Sequence, residues 1–183
     1  IAAALSSLKG PKHGGANVKV YEMFEDLKEN ITDWEDDEQI EHYLELLLDK
    51  QAFDRKGLIY GMGHAVYTIS DPRQRILKGA VQELAEVEGY SDEFNLYERV
   101  EKLAPQVIGR KRKIYKGVAS NVDFYSGIIY RALGIPENMF TVIFALGRLP
   151  GWIAHWKEMI GHHTKIVRPR QIYIGKVPAD YEK

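Results

Sequence analysis

Cysteine is absent from the 183 residues, which excludes disulfides and thiolate chemistry and accords with a reducing compartment. No apolar run reaches the roughly 18 to 20 residues a membrane span needs, and the opening residues have neither the basic start nor the apolar centre of a secretory signal. An excess of either charge is also missing. Twenty-five Lys and Arg face 26 Asp and Glu, a formal net charge of −1, so no global field favours nucleic acid or an anionic membrane surface and any cationic site must be local. Repeats, low-complexity tracts and sustained period-two alternation are lacking too. The 45% hydrophobic content is enough to bury a core in one or two units. Ile1 stands where a Met would start a chain, and IAAALSSLKG begins in mid-pattern without a cap, which predicts a piece of something longer.

The apolar spacing has helical period, so the expected class is all-α. Residues 1–8 read as the last turns of a helix ending at Gly10 and Pro11. Asn17 is a candidate cap for a helix with the stripe Val20, Phe24, Leu27 and Ile31, and Ile40, Tyr43, Leu44, Leu47 and Leu48 mark the next. The acidic cluster Trp34 to Glu38 between them reads as a solvated cap at the second helix's positive end. Ile76, Leu77, Ala80, Leu84 and Val87 predict one buried face up to a stop at Gly89. Phe94, Tyr97, Val100, Leu103, Val107 and Ile108 predict another, with a break or kink at Pro105. The basic run Arg110 to Lys113 with Lys116 reads as a solvated helix end or a phosphate contact. A helix over residues 121–133 stops at Gly134, Met139 to Leu146 form a helix that delivers Arg148, and Pro150 with Gly151 should break it. Trp152, His155, Trp156 and Met159 then share a helix face, with His155 packed between the tryptophans.

The most chemical stretch is GLIYGMGHAVYTISDPR, residues 57–73. Gly57, Gly61 and Gly63 permit positive φ and close approach of a ligand, which presents His64 at the rim of a loop. Asp71 and Pro72 read as N-cap and first helical residue, placing Arg73 at a helix N-terminus suited to a carboxylate or phosphate. His13 lies on a second glycine turn, and Asp123 falls in a helix's first turn. Two histidines, one carboxylate and arginines at element ends form a set able to move protons on an anionic substrate. Competing chemistries fail on inspection. The glycines lack the third member of a dinucleotide fingerprint and a surrounding βαβ unit, Ser126 is in no nucleophile elbow, and His155, His162 and His163 match no zinc pattern.

Taken together, GPKHGGAN from Gly10, GMGHAV from Gly61 with Asp71-Pro-Arg73, NVDFYSG from Asn121, Met139-Phe-Thr with Arg148 and Gly-Trp-x-Ala-His155, and Arg168-Pro-Arg resemble citrate synthase, in that family's order from one end of the chain to the other. The resemblance is to the C-terminal half. It implies the citrate-synthase-like helical fold in three parts: residues 1–12 ending a large-domain helix, 13–134 forming the small domain, and 135–183 returning to the large domain. It also implies roles. Asp123 would take a proton from the methyl of acetyl-CoA, His13 would bond the thioester oxygen, and His64 would act on the carbonyl oxygen of oxaloacetate. Arg73, Arg148 and, across a homodimer, Arg168 would clamp carboxylates. Leu58, Ile59, Tyr60, Gly61 and Met62 would follow the adenine of CoA, with Lys116 near its phosphates. The expectation is a cytoplasmic enzyme with no metal and no permanently bound cofactor, CoA serving as cosubstrate. It binds neither nucleic acid nor membrane, and the 183-residue piece is inactive alone. The alternatives are 2-methylcitrate synthase acting on propionyl-CoA and a non-catalytic helical CoA-binding module.

Overall fold

The structure, a computed structural model, describes residues 1–9, 14–64, 67, 69–113 and 117–162. Among these the apolar spacings become α1 (Ala2–Lys9), α2 (Ala16–Asn30), α3 (Asp37–Leu48), α4 (Pro72–Glu88), α5 (Ser91–Arg112), α6 (Asp123–Ala132), a 3-10 turn (Glu137–Met139) and α7 (Phe140–Gly161). The chain divides into two units, Ile1–Arg148 and Leu149–Lys183.

The first unit is built around α5 and α6. Packing pairs α3 with α5, α6 with both α2 and α4, and α4 with α5. Val20, Phe24 and Leu27 from α2, Leu44 and Leu47 from α3, Tyr97, Val100 and Val107 from α5, and Phe124, Tyr125 and Ile128 from α6 form one core. Phe24 and Tyr97 stack in parallel with centroids 3.5 Å apart, and the Phe124 ring meets both edge-on. Burying a side chain such as Phe24 contributes about 1.5–3 kcal/mol, so this aromatic group fixes α2, α5 and α6 as one body.

Local chemistry sets the helix ends. The Asp36 carboxylate accepts the amides of Glu38 and Gln39, and the Gln39 side chain returns a bond to it, so the acidic cluster is indeed a cap. Asp71 caps α4 ahead of Pro72, and Gly89 stops that helix at φ 77°.

Several expectations are corrected. Asn17 is not the cap of α2: the N-cap is Gly15, and Asn17 lies buried in the first turn with its Oδ1 accepting from Val18 N. On α4 the expected stripe is rotated, because Ile76 and Val87 are 75% and 80% exposed while Gln74, Val81 and Ala85 are buried. The reason is polar: Gln74 and Lys78 turn inward to bond Glu101 on α5. Pro105 breaks nothing. It removes one intrahelical donor, but Leu103, Ala104, Val107 and Ile108 bury the helix on either side of it. Pro150 likewise lies inside α7 and does not end it. In the second unit His155 is 80% exposed on its side chain and lies 4.0 Å from Glu158, so it is not packed between tryptophans.

Candidate active site

Two non-helical segments meet beside the N-termini of α4 and α6. Met62 forms an antiparallel bridge with Ser120, Gly63 N donates to Ala119 O at 2.8 Å, and Asn121 N donates to Gly61 O at 2.8 Å. This short ladder brings the loop carrying His64 against the segment that leads into Asp123. Gly61 has φ 80°, and a Cβ there would lie 2.8 Å from the Phe124 ring and 3.1 Å from its Cα. Only glycine fits, so the loop can settle directly on the first turn of α6. Gly63 has φ 92° with open space around it; its requirement is conformational. The base of the loop is held by Arg112, which donates to the Gly57 carbonyl.

His64 stands beyond the ladder as the sequence predicts. Its Nδ1 accepts the Tyr67 amide at 3.0 Å, which places the proton of a neutral ring on Nε2. Arg73 Nη2 lies 3.5 Å from that Nε2 and the Asp71 Oδ2 lies 3.9 Å from it. Arg73 itself grips Asp71: Nε reaches Oδ1 at 3.1 Å, Nη2 reaches Oδ2 at 2.8 Å, and the Arg73 amide donates to Oδ1 at 2.9 Å. The anion at the start of α4 is therefore the chain's own Asp71, where the sequence suggested an external one. The hydrogen bond from Arg73 holds the buried Asp71 carboxyl below the ordinary range despite desolvation, and the same bond raises the guanidinium.

Asp123 opens α6. Its amide donates to Asn121 Oδ1 at 3.0 Å, and Asn121 Nδ2 donates back to the Gly63 carbonyl at 3.0 Å. Burial raises the Asp123 carboxyl above the usual aspartate range; the charge of Arg73 opposes this and that of Asp71 adds to it. A carboxylate made more basic by desolvation, within the field of a guanidinium and on a segment bridged to the histidine loop, has the makings of a general base beside an anion-binding donor.

Of the other predicted residues, Ile59 is buried, Leu58 is exposed, and Tyr60 donates to Asp54 at 2.6 Å. Arg148 is exposed on α7, its guanidinium 5.7 Å from the Phe144 ring, and none of its described contacts reaches His64, Arg73 or Asp123. His13, Lys116 and Arg168 lie outside the described residues. Of the basic run, Arg110 pairs with Glu41 on α3 and Lys111 with Asp49, the residue that follows its end. Among the described residues no three acidic or histidine side chains are grouped to hold a metal, and no helix is long and apolar enough to cross a membrane.

Sequence reasoning missed two contributors. Asn121 carried a signal, since an Asn two residues before a helix's first Asp is the signature of an Asx turn. Glu101 carried a weaker one: a charged residue seven positions from both Phe94 and Ile108 falls on the inner face of α5.

The description "Citrate synthase, C-terminal domain" fits residues 1–170. Citrate synthase 1 of Mycobacterium tuberculosis is 42% identical over 184 residues, covering 99% of this chain and 40% of the relative. Citrate synthase of Synechocystis is 39% identical over 175 residues, covering 96% and 40%. Among solved structures, the ternary complex of citrate synthase from Thermoplasma acidophilum with carboxymethyl coenzyme A and oxaloacetate superposes with a TM-score of 0.72 at 31% identity over 99% of this chain and 44% of that one. Pyrobaculum aerophilum citrate synthase gives 0.72 at 30% identity, covering 100% and 41%. The chain thus spans about two-fifths of the length of the relatives it matches. With its all-α architecture and its motifs in matching order, the chain belongs to the citrate synthase family.

Proposed function

We propose that this chain supplies the proton-transfer centre of an enzyme that condenses acetyl-CoA with oxaloacetate and hydrolyses the resulting thioester to citrate and CoA. The observation that carries the reading is the Asn121 bridge, which sets a half-buried, basic Asp123 against the loop bearing His64. Asp123 accepts a proton from the thioester methyl, leaving an enol or enolate carbon as nucleophile. That carbon attacks the ketone carbon of oxaloacetate, and the Nε2–H of His64 stabilises or protonates the oxygen that gains charge. Water then cleaves the thioester.

Arg73, anchored through Nε and one edge of Nη2 by Asp71, retains further N–H groups for a substrate carboxylate, for which a planar guanidinium is the better donor. His13 would bond the thioester oxygen, Arg148 and a second subunit's Arg168 would complete the carboxylate clamp, and Lys116 with the backbone of residues 58–62 would meet CoA. Residues 13–134 would act as the small domain, with 1–12 and 135–183 belonging to the large one. The relatives' names and the ligands of the Thermoplasma complex support this reading.

The test is steady-state kinetics, with acetyl-CoA and propionyl-CoA each offered with oxaloacetate to a protein of the relatives' length carrying this sequence. A higher kcat/KM for acetyl-CoA is expected. Preference for propionyl-CoA would make it a 2-methylcitrate synthase, and CoA binding with no condensation at all would overturn the enzymatic reading.

A further inference from the structure

Glu101 sits on the inner face of α5 and takes no part in the chemistry above. Its Oε1 accepts from Gln74 Nε2 at 2.7 Å and from Ser120 Oγ at 2.5 Å, while Oε2 accepts from Lys78 Nζ at 2.8 Å and from Tyr125 OH at 2.8 Å. Three of the four donors stand within two residues of a site residue: Gln74 follows Arg73, Ser120 precedes Asn121 and pairs with Met62, and Tyr125 lies two residues after Asp123. We propose that Glu101 is a positioning residue, whose carboxylate ties α4, α6 and the Ala119–Asn121 segment to α5 and so fixes where Asp123 stands relative to His64. As far as it concerns catalysis, the proposal rests on the function proposed above.

An ionised carboxylate suits this place because it is acceptor-only on both oxygens, and all four neighbours donate. Burial opposes its charge, but the hydrogen bonds from Lys78, Ser120 and Tyr125 outweigh that cost and hold its pKa below the ordinary value. A glutamine here would offer one accepting oxygen and turn an NH2 toward two donors. The α5 end of the tie is itself rigid, since Tyr97, Val100 and Ala104 around Glu101 are fully buried. Arg73 has its own anchor in Asp71, so the position Glu101 governs is that of Asp123 and the ladder.

Amide hydrogen exchange in a protein of the relatives' length reads this directly, comparing wild type with Glu101→Gln and with Ser120→Ala, which removes a single bond and keeps the core. The expected result is exchange faster by about tenfold or more at the Gly63 and Asn121 amides in both variants, with Phe24 and Leu44 unchanged. In a protein of the relatives' length, Glu101→Gln should lower kcat by about tenfold while the KM for oxaloacetate stays within about twofold. Unchanged exchange at Gly63 and Asn121 in Ser120→Ala would overturn the proposal, as would an equal rise at Leu44, which would report general destabilisation. Should Glu101→Gln not fold, Ser120→Ala decides alone. A wild type that forms no citrate, with the local exchange effect present, would overturn the functional reading and leave the tie standing.

Discussion

Asn121 donates its side-chain amide to the Gly63 carbonyl at 3.0 Å, and this bond adds to the backbone ladder a side-chain anchor shared by the histidine loop and the start of α6. The other atom of the same amide caps Asp123. Replacing Asn121 with Ala leaves the Gly63 carbonyl and the Asp123 amide without these partners. The loss expected in urea unfolding is about 1–3 kcal/mol. Asn121→Asp should do no better, because a carboxylate cannot donate to Gly63 and adds a like charge beside Asp123.

The two glycines of the loop should respond differently to the same substitution. Gly63→Ala meets open space and should lose only the cost of a positive φ, about 1–2 kcal/mol. Gly61→Ala adds contacts of 2.8 and 3.1 Å with Phe124, and should lose about 3 kcal/mol or more. Thermal unfolding of the pair measures the difference, and equal losses would argue against the close seating of the loop on α6.

Tyr97 is fully buried and stacked on Phe24, and its hydroxyl has no hydrogen-bond partner among the described residues. Tyr97→Phe keeps the stacking and removes an unmet polar group. Denaturant unfolding should show a stability unchanged or raised by about 1 kcal/mol, in contrast with Tyr125→Phe, which costs Glu101 a donor.

The raised pKa of Asp123 has a pH signature. Because the folded state holds this proton more tightly than the unfolded chain does, the contribution is favourable below the ordinary aspartate value and is lost as pH rises through the raised folded value. Asp123→Asn abolishes that loss, so the variant should be the more stable protein at neutral pH, with its advantage disappearing in acid. Unfolding curves at a series of pH values test the sign. An advantage that grew in acid would contradict the burial of this carboxyl.

The helices were legible from spacing because Val20, Phe24, Leu27, Leu44, Tyr97 and Val100 serve one core, and the caps at Asp36 and Asp71 were legible because capping is local chemistry. What could not be read was polar and long-range. The rotation of α4 that exposes Ile76 depends on Gln74 and Lys78 meeting Glu101 across the helix interface, a choice that an apolar period does not encode. The grip of Asp71 on Arg73 was hidden for a related reason: a capping Asp and an anion-binding Arg read as two separate signals until the side chains are seen to satisfy each other. For His64 and Asp123, motif order marked the residues as candidates, while the seating of the histidine loop against the segment leading into Asp123 depends on the ladder between Gly61–Gly63 and Ala119–Asn121.

The proposed base is Asp123 and the proposed carboxylate clamp is Arg73. The most direct measurement is citrate formation, together with oxaloacetate binding, by Asp123→Asn and Arg73→Ala in a protein of the relatives' length. Asp123→Asn should lower kcat by about 100-fold or more with the oxaloacetate Kd nearly unchanged, while Arg73→Ala should chiefly weaken oxaloacetate. An Asp123→Asn enzyme that turned over normally but bound oxaloacetate poorly would assign Asp123 to binding and not to proton transfer.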